Sequence, residues 1–266
     1  IVHADDPSQT IPLDGEWRYQ TSVLSSGSPY PPSDPSLSSG TPTVLHNGMI
    51  APLQPYAIRG AIWYQGEANA PQSNFYRELF PNMVEDWRRA WGQGDFPFLY
   101  VQIAPFKDMP PEIREAQRLS LDRIPNSAMA VTLDVGDAND IHPADKRPVG
   151  ERLALAARAL AYDEALEFSG PLYHSFKAKG ERAVLTFSHL GGGLLAKDGP
   201  LIGFTIAGAD KVFHPAKAKI AGDTIEVTSD KVSAPAAVRY AWSNVPEGNL
   251  YNKAGLPASP FATDSE

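Results

Sequence analysis

Gly60-Ala61-Ile62-Trp63-Tyr64-Gln65-Gly66-Glu67-Ala68-Asn69 joins an apolar, aromatic run to an abrupt polar break. The run from Gly60 to Tyr64 has the composition of a buried strand. In open α/β sheets, ligands and reactive side chains gather just outside the carboxyl ends of the strands. Gly66 at that point allows a sharp turn and the close approach of a ligand. Gln65 offers an amide donor and Glu67 a carboxylate, and a core strand needs neither for packing.

Working outward, the chain alternates strands and helices from Val44 onward. Phe75, Leu79, Met83 and Trp87 recur every four residues and predict a helix over 74–91 with those side chains on its buried face. Ser73 is placed to cap it, Gly92 and Gly94 to stop it, and Pro81 to kink it or mark a restart. A strand over 98–103, a helix over 112–122 after Pro110-Pro111, and a strand over 128–133 follow. A further amphipathic helix over 148–162 buries Val149, Leu153, Ala156 and Leu160. Strand–helix–strand order of this kind implies a parallel sheet with right-handed crossovers. Three buried strands are few for such a sheet, so the fold reads as incomplete on its N-terminal side.

From Gly170 the character changes to short strands near 183–187, 204–207, 219–221, 224–227 and 237–242, separated by turn signals such as Gly222-Asp223. That spacing predicts an antiparallel β-sandwich. Gly191-Gly192-Gly193 lacks the Lys-Ser/Thr of a phosphate loop and reads as a hairpin. At the other end, residues 10–19 suggest a β segment with a turn at Asp14-Gly15, and 22–43 a Ser/Pro/Gly linker. The expected organisation is therefore 1–43, the end of an inserted β region plus linker; 44–168, an α/β core; and 169–266, a β-sandwich.

Composition narrows function. The 23 Lys+Arg against 31 Asp+Glu give a net charge of −8, which argues against a nucleic-acid partner. No cysteine is present, so disulfides, thiolate metal sites and a cysteine nucleophile are excluded. Apolar stretches are too short to span a bilayer, so no membrane partner is expected. The opening Ile1-Val2-His3-Ala4-Asp5 carries no signal-peptide pattern and suggests a processed chain or a piece of a longer one.

The second polar cluster is Asp134-Val135-Gly136-Asp137-Ala138-Asn139-Asp140-Ile141-His142-Pro143. A histidine past a strand end, preceded by carboxylates, suits a general base oriented by an acid. Two other readings stand beside it: a polar loop whose acids cap the next helix, and a calcium or magnesium site built from the three aspartates. The 1, 4, 7 spacing of those aspartates does not match an EF-hand loop. Gln65 suits an oxyanion donor, or equally a buried amide satisfied by backbone. The other histidines (His3, His46, His174, His189, His214) are isolated and show no metal-ligand spacing. A rival, non-catalytic reading is a sugar-binding module with Tyr240 and Trp242 as its stacking surface.

Four blocks in order carry a resemblance: Pro42 to Leu53, Trp63-Tyr64-Gln65-Gly66-Glu67-Ala68-Asn69, Arg114-Glu115-Ala116-Gln117 and Asp140-Ile141-His142-Pro143. Together with the tail Tyr251 to Phe261, they resemble the sialate O-acetylesterase family of SGNH-type serine hydrolases. The resemblance implies a flavodoxin-like parallel core followed by a β-sandwich, an export route, and removal of acetyl groups from sugar hydroxyls without metal or other cofactor. By position, His142 matches the general base and Gln65 the oxyanion donor, with Glu67 and Asn69 in supporting, substrate-binding roles. Asp140 is the acid partner by proximity, with Asp137 and Asp134 as rivals. The family's nucleophile lies in a Gly-Gln-Ser-Asn-Met block, and a Gly-Gly-Thr-Pro block carries another donor; neither occurs here. The expectation is a C-terminal portion whose serine sits on a preceding segment, either in the same protein or as a second chain, with an acetylated sugar (sialic acid or a plant glycan) as substrate. Strand edges that this segment would pair are then left exposed.

Overall fold

The computed structural model describes residues 2–3, 6–10, 38 and 40–265. It divides into two compact units, 1–53 and 54–266. In the first, β1 (Val2–His3) pairs antiparallel with β2 (Asp6–Thr10), and His46–Ile50 and Ala51–Leu53 form short π and 3-10 turns. The Asp14-Gly15 turn and most of the proposed linker lie outside the described residues.

The second unit opens with a three-stranded parallel sheet in the order β3 (Ala61–Trp63), β4 (Phe98–Val101), β5 (Ser127–Ala130). α1 (Ser73–Trp91) links β3 to β4, and α2 (Pro111–Ser120) links β4 to β5. Alternate strand residues point to opposite faces. Phe98 and Tyr100 therefore meet Phe80 of α1 at ring distances of 6.0 and 5.0 Å. Leu99, Val101, Ala128 and Ala130 instead pack under Val149, Leu153 and Ala156 of α3 (Arg147–Tyr162), with Leu160 half-buried. No described helix is long and apolar enough to cross a membrane.

α1 corrects the sequence reading in three ways. Its buried face is Tyr76, Phe80 and Val84, flanked by half-buried Met83 and Trp87, whereas Phe75 and Leu79 stay exposed. The two rows 75/79 and 76/80/84 lie side by side on the helix, one residue or about 100° apart, and the sheet covers the second. Pro81 does not restart the helix, which runs unbroken from Ser73 to Trp91. The Arg77 carbonyl, which a proline four residues on cannot satisfy, accepts a hydrogen bond from Arg123 at 2.7 Å. Ser73 is the first helical residue rather than a cap, and its hydroxyl donates to Ala70 O at 2.6 Å. Gly92 does end the helix, at φ 64°.

The remaining strands form the antiparallel β-sandwich. One sheet runs β11 (Lys217–Ala221), β12 (Thr224–Thr228), β7 (Arg182–Ser188), β6 (Leu172–Lys179); the other runs β10 (His214–Pro215), β9 (Phe204–Ala207), β13 (Ala237–Tyr240), β15 (Phe261–Ala262). Leu185, Ile225 and Val227 of the first and Ile206, Val238 and Phe261 of the second are fully buried in one core. Gly222-Asp223 closes the β11–β12 hairpin. The triple glycine does not make a hairpin: it leads from β7 to β8 (Leu194–Ala196), which pairs with β14 (Leu250–Asn252) instead. All three glycines take positive φ, and Gly191 packs against Asn252, where a Cβ would fall 2.6 Å from its amide nitrogen.

α2 is buried along most of its surface, including Arg114, Glu115, Gln117 and Arg118, with Glu112 exposed and Leu119 half-buried. One side faces the parallel sheet. The other meets the sandwich, where the Arg118 guanidinium lies 5.7 Å from the Tyr173 ring and Ser265 donates to Glu115 at 2.5 Å.

Candidate active site

Because β3, β4 and β5 run parallel, their carboxyl ends share one rim. Gln65 lies just past the end of β3, and the segment Asp134–His142 follows β5. Beyond the second stretch, Lys146, four residues past His142 and at the start of α3, sets its ammonium 5.3 Å from the Tyr64 ring, next to Gln65.

Gln65 is held firmly. Its carbonyl accepts hydrogen bonds from Gln117 Nε2 at 3.2 Å and from the Tyr76 hydroxyl at 3.3 Å. Gln117 is fully buried and also donates to Val101 O while accepting from Ile103 N–H, so one amide ties the ends of β3 and β4 together. The Gln65 side-chain oxygen faces the Tyr76 hydroxyl at 3.4 Å, and its Nε2 donates to Asn69 Oδ1 at 2.7 Å. A primary amide carries two N–H groups, so the second is available to a ligand. Gly66 makes this turn at φ 145°, where a Cβ would press on Ile103 and Gln117 at 3.1–3.2 Å. Burial pushes the Tyr76 hydroxyl up to about 12, and the Glu67 carboxylate adds to the shift. Tyr64 is raised for the same two reasons.

Asp140 and His142 are neighbours in a turn: Asp140 Oδ1 accepts the His142 backbone N–H at 2.8 Å and lies 3.8 Å from its Nδ1. The imidazole is 86% exposed. Asp137 is occupied in capping the Asn139 N–H at 2.8 Å. Asp134 is committed elsewhere, to a two-pronged pair with Arg152 at 2.7 Å and a bond from the Tyr251 hydroxyl at 3.2 Å. Burial pushes this carboxyl up, but the Arg152 contacts outweigh that and hold it below its ordinary range. Among the described residues, no three His, Asp or Glu side chains gather as metal ligands.

The structure thus joins Gln65 to Asn69 and Asp140 to His142, on segments that leave the carboxyl ends of β3 and β5, and among the described residues no hydrogen bond links the two pairs. The roles of Gln117 and Tyr76 were not read from the sequence. The block Arg114 to Gln117 marked the first, but only coordinates show an amide inserted between two strand ends.

Two sequence readings change. Tyr240 is fully buried, with its hydroxyl accepting the Leu250 N–H at 2.9 Å, so it offers no face to a sugar. The Trp242 ring faces Arg239 at 5.1 Å. His189 is not isolated: its Nδ1 lies 2.8 Å from Glu167, next to the Phe168 ring.

Residues 44–159 match the model of the family described as carbohydrate esterase, sialic acid-specific acetylesterase. Sialate O-acetylesterase of Mus musculus is 38% identical over a stretch covering 58% of this chain and 34% of that protein. The Homo sapiens protein of the same name is 31% identical, covering 92% of this chain and 54% of the relative. The crystal structure of a carbohydrate acetylesterase from Xanthomonas citri superimposes with a TM-score of 0.81 at 47% identity, covering 85% of this chain and 55% of that one. The chain therefore spans between about a third and about half the length of these relatives.

Proposed function

We propose, on the premise that residues 44–159 belong to the sialic acid-specific acetylesterase family of carbohydrate esterases, that this chain supplies the base and oxyanion half of an O-acetylesterase site. The substrate class is an acetyl ester on a sugar hydroxyl, of sialic acid or a plant glycan. The observation that carries the reading is the shared rim: Gln65 leaves the carboxyl end of β3, the 134–142 segment leaves that of β5, and Lys146, four residues past His142, lies against the ring of Tyr64.

In this mechanism a serine hydroxyl attacks the acetyl carbonyl carbon while His142 takes its proton. Asp140 orients the imidazole and stabilises its cation, and the second Gln65 N–H donates to the oxyanion. Collapse expels the sugar oxygen, which recovers the proton from His142; water repeats the cycle and releases acetate. Glu67 and Asn69 bind the sugar, and Asn69 also holds the Gln65 amide in place. Among the described residues no serine hydroxyl is hydrogen-bonded to His142. The serine is accordingly assigned to a Gly-Gln-Ser-Asn-Met segment outside these 266 residues, on the same protein or a second chain.

The edge of the sheet supports that assignment. β3 pairs with β4 alone among the described residues. Ile62 on it is 66% exposed, and Phe75 of the following helix is 59% exposed. Parallel strands are ordinarily covered on both faces, so this edge suits a further strand.

Residues 1–266 alone should hydrolyse p-nitrophenyl acetate poorly, and a segment bearing the nucleophile block should restore turnover. Robust turnover by 1–266 that a serine-directed inhibitor abolishes would sink the placement of the serine. In the complete protein, His142→Ala should lower kcat by roughly 10³–10⁴-fold and Gln65→Ala by roughly 10²–10³-fold. Full activity in His142→Ala would sink the esterase assignment.

A further inference from the structure

The His142 side chain is too exposed to be held by its own packing, so its position is that of its backbone. That backbone rests on a second rim loop, after β4. Lys107 N–H donates to Ala138 O at 3.2 Å. Gly136 lies so close to Pro105 that a Cβ would fall 2.5 Å from its ring and 2.7 Å from its carbonyl oxygen.

The loop after β4 is in turn gripped by the β-sandwich. Asn244, between β13 and β14, donates through its side-chain amide to Lys107 O at 2.5 Å, and its carbonyl accepts the Phe106 N–H at 3.3 Å. The Asn244 turn is itself anchored, because the buried Arg114 guanidinium donates to Ser243 O. One peptide, Phe106-Lys107, thus receives the sandwich on one side and supports the histidine loop on the other.

We infer that Asn244 is a positioning residue of the proposed esterase site: through Lys107 it fixes the 136–142 loop and so the place of the Asp140–His142 pair. This rests on the esterase reading for its catalytic meaning. It also gives the sandwich a role other than sugar binding.

The test has two arms. In the 266-residue chain, Asn244→Ala should speed amide hydrogen exchange across 136–142 by about fivefold, the effect of losing one hydrogen bond of ordinary strength, with the β3–β5 amides unchanged. Gly136→Ala, which pushes the loop off Pro105 without touching the sandwich, should give the same localised change. If Asn244→Ala does not fold, Asn244→Asp keeps the size and removes the donor. Parental exchange at 136–142 in a folded Asn244 variant overturns the inference. In the complete enzyme, Asn244→Ala should lower kcat about tenfold with KM held, as misplacement of a reacting group does. An unchanged kcat beside an inactive His142→Ala overturns positioning and leaves the esterase reading standing. An active His142→Ala removes the esterase reading, while the exchange result still decides whether Asn244 holds the loop.

Discussion

Arg118→Met is the most exacting test of how α2 joins the two halves of the larger unit. Arg118 and Glu115 are 5% and 0% exposed and form a two-pronged pair at 2.9 and 2.8 Å. Removing the guanidinium leaves a carboxylate with no water to solvate it, and breaking a buried pair in this way costs about 3–5 kcal/mol. For a unit of this size each kcal/mol lowers the melting temperature by about 2–4 °C, so the midpoint should fall by roughly 6–20 °C. The second variant, Glu115→Leu with Arg118→Met, removes both charges. Ser265 then keeps Ala262 O, 2.8 Å away, as its acceptor. Replacing a buried pair by apolar groups is often neutral or better, so the double variant should recover most of the loss. Thermal unfolding followed by circular dichroism and calorimetry reads both. A single variant within about 1 kcal/mol of the parent, or a double variant no better than the single, would refute the claim that an unpaired buried charge causes the loss.

Three other outcomes follow from the packing. Phe80→Ala should cost about 3–5 kcal/mol and Phe75→Ala no more than about 0.5 in denaturant titration; equal losses would return the buried face of α1 to the 75/79/83/87 row. Gly170→Ala should destabilise by about 3 kcal/mol, because its Cβ would fall 1.9 Å from Pro257 O, and a parental melting temperature would contradict so close an approach. The Asp134 carboxyl is held below its ordinary 3.8 by Arg152 despite burial. Its contribution is therefore complete above that value and is lost as the pH falls through the lower, folded value. The stability gap between parent and Asp134→Asn should be constant above about pH 5 and shrink below about pH 4. A flat gap across that range would refute the assignment.

Local pattern carried the fold as far as each element answers to its own sequence. The strands of the parallel sheet and the buried side of α3 follow from apolar runs and from Val149, Leu153 and Ala156. In α1 the same reasoning slipped by one residue. Tyr76 and Phe80 are flanked by Phe75 and Leu79, so two apolar rows lie side by side, and only the strand beneath decides which is covered. α2 is opaque in a different way. Arg114, Glu115, Gln117 and Arg118 look like a solvated face, yet each is buried: the sandwich meets Arg114, Glu115 and Arg118 from beyond residue 170, and Gln117 is taken up by the ends of β3 and β4.

The site shows the same division between what a neighbour in sequence can tell and what it cannot. The turn at Gln65 was legible because the strand that delivers it stops at once in Gln-Gly-Glu, and the Asp140–His142 contact because the two are two residues apart. Asp134 looked like a rival acid in that same cluster. What sets it apart is Arg152, 18 residues on, and Tyr251, 117 residues on. Three aspartates spaced by three are interchangeable in sequence, and their environments make them different reagents. One is neutralised by a guanidinium, one caps a turn, and one remains beside the imidazole. A carboxylate already bonded to arginine is a poor partner for an imidazolium, since its own negative charge is already compensated. Transferring the acid from Asp140 to Asp134 would therefore require breaking the Arg152 pair. On that ground Asp140→Asn should depress turnover in the complete enzyme more than Asp134→Asn does at equal folded fraction. Steady-state kinetics on both, with the folded fraction measured by circular dichroism, would reject the assignment if the order were reversed.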